Sequence, residues 1–102
     1  MYLVHARFET VLPSQVPWDI KELSRSLLLP ADHVEHLSVH RRSARHFVLG
    51  FYLLAGSLAE AETRAERVSL RLLGTGALPP ARLLAAEAPL MVPEAVLGFG
   101  AP

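Results

Sequence analysis

The segment His46–Leu54, HFVLGFYLL, constrains this chain more than any other. Successive side chains of a β-strand point to opposite faces. Here both faces are apolar, as in a central strand covered on two sides. The longest apolar run, Phe47–Ala55, is far short of the ~18 residues that a membrane-spanning helix needs. A buried central strand needs partners on both edges, and the rest of the chain supplies them.

Residues Tyr2–Val11 read as a strand, rich in β-branched and aromatic types and ending at Pro13. Tyr2, Val4, Ala6 and Phe8 share one face, and Leu3, His5, Arg7 and Glu9 the other. A helix of about three turns follows. Pro17 suits its first position, and Asp19 and Glu22 suit its positive end. Val16, Ile20, Leu23 and Leu27 form its apolar stripe, and Pro30 stops it. Val34–Arg42 alternates as a strand, with Leu37 and Val39 on one side and His36, Ser38, His40 and Arg42 on the other. A short turn around Ser43 leads into His46–Leu54. Pairing Val39 with Phe47 matches inward residues to inward residues and sets His40 opposite His46.

The second helix opens on the capping box Ser57-Leu58-Ala59-Glu60. Its buried stripe is Leu58, Ala61, Ala65, Val68 and Leu72. Glu60 and Arg64 pair on its wet face, and Gly74 and Gly76 end it. After Pro79-Pro80, Ala81–Ala88 is a fourth strand, closed by Pro89 at an edge where proline is tolerated. The order strand, helix, strand, strand, helix, strand predicts an α+β domain over residues 1–89. Right-handed crossovers give a four-stranded antiparallel sheet in order 4-1-3-2, with both helices on one face. The tail 90–102 carries Leu90, Met91, Val92, Val96, Leu97 and Phe99. Left free, it would expose too much apolar surface, so it is expected to dock on the domain or on a partner subunit.

This element order resembles the ferredoxin-like superfold across roughly residues 2–88. It also resembles the dimeric α+β barrel proteins, which include small monooxygenases and muconolactone-isomerase-like enzymes. The opening Met1-Tyr2-Leu3-Val4-His5-Ala6-Arg7-Phe8, followed by Leu12-Pro13, is similar in style to the first strand of the isomerase-like members. The resemblance implies a homodimer with a ligand cleft, but it assigns no catalytic residue.

Composition narrows the chemistry. The 102 residues contain ten cationic and ten anionic side chains, so no basic excess points to nucleic acid. The cations are nine Arg and the single Lys21. This bias, with the frequent Leu and Ala, is that of GC-rich bacterial coding. There is no cysteine, which excludes disulfides, thiol nucleophiles, thiolate zinc sites and iron–sulfur clusters. Met1 leads straight into Tyr2-Leu3-Val4-His5, without a basic region or a signal-type apolar stretch. The expectation is a cytoplasmic protein with no membrane partner.

With helices on one face, the other face gathers four of the five histidines: His5, His36, His40 and His46. Arg7, Tyr52 and Glu87 join them. Such a face is too polar for a second core and, with Leu3, Val48 and Tyr52, too apolar to be left wholly to water. Histidine suits proton transfer near neutral pH, Arg7 a carboxylate or enolate-like oxygen, and Tyr52 a donated hydrogen bond. His5, Arg7, His46 and Tyr52 are therefore the candidate catalytic or binding residues.

The expected function is that of a small dimeric ligand-binding protein or cofactor-independent enzyme. It would act on an organic acid or aromatic metabolite, as in an accessory step of bacterial secondary metabolism. The alternative is a non-catalytic homo-oligomeric interaction module whose open sheet face is the interface. Whether the chain is an enzyme is left open.

A metal is not expected. His33, His36 and His40 would share a face only in a helix, and in a strand His36 and His40 stand roughly 13 Å apart. His40 and His46 could share an ion only if they face each other across the hairpin. Trp18 is expected to be partly buried, and Ser57 to be a cap with no nucleophile setting. Gly74-Thr75-Gly76 follows a helix and makes a poor phosphate loop. Arg41-Arg42 with Arg45 read as a solvated basic turn, without the interleaved aromatics of a nucleic-acid surface.

Overall fold

Alternation along the first strand separates what the domain buries from what it shows. In a computed structural model that describes residues 1–89, β1 (Tyr2–Thr10) buries Val4, Ala6, Phe8 and Thr10. The remaining strands are β2 (Val34–Arg41), β3 (His46–Leu53) and β4 (Ala81–Glu87). The helices are α1 (Ile20–Ser26) and α2 (Leu58–Gly74). The sheet is antiparallel throughout, in the order β2-β3-β1-β4, which from the other edge reads 4-1-3-2. β1 and β3 are the central strands. Four residues of β3 are 0–1% exposed: Phe47, Leu49, Phe51 and Leu53. They meet Val4, Ala6 and Phe8 of β1, Leu37 of β2, Ile20 of α1, and Ala61, Ala65, Val68 and Leu72 of α2 in one core. Phe8 and Phe47 stack with ring centroids 4.8 Å apart, an aromatic pairing across directly opposed positions.

α2 follows its sequence closely. Ser57 Oγ accepts a hydrogen bond from the Glu60 N–H at 3.1 Å. The Glu60 carboxylate reaches one residue further back than a capping box requires, accepting from the Gly56 N–H at 2.7 Å. Arg64 pairs with Glu60 at 3.1 Å. Gly76, at φ 78°, takes the left-handed turn just past the helix. Leu58 is exposed, although the stripe includes it. A helical side chain leans toward the N-terminus, which carries the first residue's side chain off the packed face.

α1 is shorter than expected. The Ile20 N–H bonds back three residues to the Pro17 carbonyl at 3.3 Å, so the chain is still in a turn at Trp18 and Asp19. Asp19 makes no side-chain cap bond. The helix ends at Ser26, where the Leu27 and Leu28 N–H groups again bond three residues back. Pro30 does not stop it; it opens the separate 3₁₀ turn Pro30–Asp32. Asp32, the last residue of that turn, is buried, accepts from the Leu29 N–H at 2.7 Å, and bonds Arg71 of α2. Arg71 also donates to the Leu27 carbonyl at 3.1 Å, so one guanidinium ties α2 to the end of α1. Trp18 is 87% exposed instead of partly buried, because the turn that carries it precedes the packed helix.

The β2–β3 register is the main correction. Val39 pairs with Leu49, His40 with Val48, and Arg41 with Phe47. This is two residues from the expected pairing, and His40 does not face His46. An even slip leaves every side chain on its own face, so the inward set is unchanged while the cross-strand neighbours differ. Among the described residues no helix is long and apolar enough to cross a membrane. The expected docking of the tail 90–102 lies outside the described residues.

Candidate functional site

On the face that carries no helix, the register fixes four transverse rows. His36, Tyr52 and Leu3 form the first. Ser38, Gly50, His5 and Glu87 form the second, and His40, Val48, Arg7 and Ala85 the third. His46, Glu9 and Arg82 form the fourth. The rows differ in chemistry, and the difference follows from their neighbours.

The first row is aromatic. His36 and Tyr52 lie with ring centroids 5.3 Å apart, tilted by 57°. The second row is hollowed at its centre by Gly50, which is buried although it lies on the open face. A Cβ built there would meet Ser38 Oγ, and would lie 3.5 Å from His5 and 3.6 Å from Leu3. The missing side chain is the space into which Ser38, His5 and Leu3 lean. Across it His5 reaches His40, with ring centroids 5.7 Å apart. Partial burial holds the His5 pKa below the ordinary imidazole value, and the charges of His40 and Arg42 push it the same way. His5 is therefore held toward its neutral form.

The fourth row is a filled ionic cluster. The Glu9 carboxylate accepts from Arg82 of β4, and faces Arg45 at 3.4 Å and His46 at 3.6 Å. The hydrogen bond from Arg82, aided by these neighbouring charges, holds Glu9 below the usual carboxylate value despite partial desolvation. The His46 Nδ1 meets Ser43 Oγ at 2.8 Å. Both ring nitrogens of His46 thus face polar groups from different parts of the chain.

Two half-open hollows lie on this face. One, of about 330 Å³, is bounded by Arg7, Arg42, His46, Val48 and Leu84, with Phe8 and Phe47 beneath. The other, of about 600 Å³, is bounded by His5, Arg7, Arg42, Glu87, Ala88 and Pro89. Arg7 and Arg42 border both. Arg7 has a long contact with Glu87, 3.7 Å, with both side chains more than half exposed.

The three arginines of the basic turn have separate fates. Arg41 donates to the Val16 and Pro17 carbonyls. Arg45 donates to the Thr10 carbonyl at 2.9 Å. Arg42 points to no acceptor among the described residues. The turn is thus tied to β1 and to the segment before α1, and among the described residues Arg42 is the one of its guanidinium groups without an acceptor.

The four candidate residues from the sequence do not converge on one centre. His5 and Arg7 adjoin in the larger hollow, and Arg7 and His46 share the smaller one. Tyr52 borders neither. It lies six residues from His46 along β3, about 20 Å at about 3.3 Å per residue. The sequence put Glu9 and Arg42 on this face without making them candidate residues, and it did not bring Ser43 or Leu84 here; the structure places all four at the site. Face parity is what put Glu9 and Arg42 there. It could not place Leu84, which is brought to this face by an irregularity between β1 and β4.

The metal arrangement through His40 and His46 fails with the corrected register, and no group of three potential ligands is assembled among the described residues. The chain matches no family model, no curated protein and no solved structure.

Proposed function

We propose that this chain is a small homodimeric protein that holds an organic acid against its open sheet face, in the manner of the dimeric α+β barrels of the ferredoxin-like superfold. One observation carries the reading: Arg7, Arg42 and His5 together border the larger half-open hollow on the face that no helix covers. Two guanidinium groups supply bidentate donors for a carboxylate. His5, held toward its neutral form, is the group poised to accept a proton if the bound acid is also transformed. The hollows lack a far wall, which a second copy of the sheet would provide. The sheet order, with β1 and β3 central, supports the ferredoxin-like reading.

A second reading has one observation in its favour. His46 and Tyr52 stand at opposite ends of the face, so the polar groups do not focus on one point, as suits a non-catalytic interface. The experiment that separates the two is a pair of measurements on the full chain. Light scattering gives the oligomeric state, and histidine-detected NMR follows titration with a panel of small carboxylates. A dimer whose His5 and His46 resonances move on titration supports the ligand reading. A dimer with unmoved resonances supports the interaction module, and a monomer removes the shared premise of both.

A further inference from the structure

We infer that the smaller hollow is an amphipathic site for a monocarboxylate with a compact apolar body, and that Arg42 is its principal cation. The inference rests on the organic-acid reading above and narrows it to a chemical class and a position.

The apolar half comes from the sheet. Val48 forms the floor and is 3% exposed, although it lies on the face without helices. Leu84 forms the rim and is 45% exposed. Its position is a consequence of local geometry. Phe8 pairs with Leu83 and Arg7 with Ala85, so Leu84 is the extra residue of a β-bulge. Bulges re-aim side chains beside binding sites. This one sets Leu84 against Arg7 and Val48 at the edge of the hollow. Without the bulge, strict alternation from Ala85 would turn residue 84 toward the helices.

The polar half is an unbalanced charge. Arg7 and Arg42 border the hollow with His46. Among the described residues, the nearby carboxylates do not neutralise both guanidinium groups. Glu9 is engaged by Arg82, Arg45 and His46, and Glu87 makes only the long contact with Arg7. Arg41 and Arg45, its neighbours in the same turn, hold backbone carbonyls. Of the three arginines of the turn, Arg42 is the one that holds no acceptor among the described residues. A bare inorganic anion would leave Leu84 uncovered, and a neutral apolar molecule would leave both guanidinium groups unmatched. One carboxylate on a small ring or branched chain satisfies both halves. The hollow, at about 330 Å³, is at the small end of ligand sites.

The test is an NMR titration of the full chain with four probes: benzoate, acetate, benzamide and inorganic phosphate. Methyl signals of Val48 and Leu84 report the apolar half, and the His46 ring reports the polar half. Benzoate is expected to move all three signals and to bind at least tenfold more tightly than each other probe. Arg42→Gln is expected to weaken benzoate at least tenfold while leaving the amide spectrum otherwise folded. Leu84→Ala is expected to weaken benzoate while leaving acetate unchanged. If acetate or phosphate equals benzoate, the apolar half is wrong. If benzamide equals benzoate, or Arg42→Gln has no effect, the cationic half is wrong. If benzoate moves His5 but not Leu84, the acid lies in the larger hollow and this inference fails while the organic-acid reading stands. If no probe moves any signal on the face, both fail.

Discussion

The two faces of this sheet are built from the same strands and differ in what stands opposite them. On the helix side, the side chains of β1 and β3 are matched to α1 and α2, and nearly every one is fully buried. On the other side the same strands present histidines, arginines, a tyrosine and a glycine. That face is fully buried only where neighbours lean together, at Gly50 and Val48. The contrast separates stability from function: the first face holds the fold, and the second keeps polar groups that the fold does not require. Substitutions on the two faces should therefore have unequal effects.

The largest effect is expected from Phe51→Ala. Phe51 is 0% exposed in the centre of β3, and truncating a core phenylalanine typically costs about 3–5 kcal/mol. Urea denaturation should show a loss of that order. A loss below about 1 kcal/mol would mean that the helix-covered face is not the stabilising one.

Asp32→Ala comes next. The carboxylate is buried and serves both the Leu29 N–H and Arg71. Removing it leaves two donors without their acceptor, at a cost of about 1–3 kcal/mol. Arg7→Gln, on the open face, should change stability by about 0.5 kcal/mol or less. Its ion pair with Glu87 is long and more than half exposed, and such pairs contribute little. If Arg7→Gln were as damaging as Asp32→Ala, the division between the faces would be wrong.

Much of this division was legible in the sequence, for a definite reason. Face membership depends on parity, and parity survives any even slip of register. His36 and His40 were therefore placed on the correct face although their partners were misplaced by two residues. Register itself was not legible, because Val39 against Phe47 and Val39 against Leu49 bury the same pattern. α2 was legible because its cap and stripe agree. α1 was not, because Pro17 marks a turn that precedes the helix as readily as it marks the first helical residue. The candidate site was only partly legible. Leu84 reaches it through a bulge that leaves no mark in the alternation, and the partners of Glu9 come from a hairpin and a strand distant in sequence.

The smallest effect in free energy, and the most local probe of the open face, is the titration of His5. Its pKa is lowered first by burial, then by His40 and Arg42. For a base with a depressed folded-state pKa, the unfolded chain binds the proton more readily. Above the unfolded value of 6.5 both states are neutral, and this linkage has no effect. As pH falls from 6.5 through the lower folded value, His5 subtracts from stability. Glu9 acts in the same direction in a more acidic window: its contribution is present above 4.5 and is lost as pH falls through its own lowered value. NMR should find the His5 midpoint below that of free imidazole. His40→Ala should raise it without restoring the free value, because burial, the largest cause, remains. Arg42→Gln should raise it less. A midpoint at or above the free value would mean that His5 is fully hydrated, and that the open face shelters its polar groups no better than bulk water does.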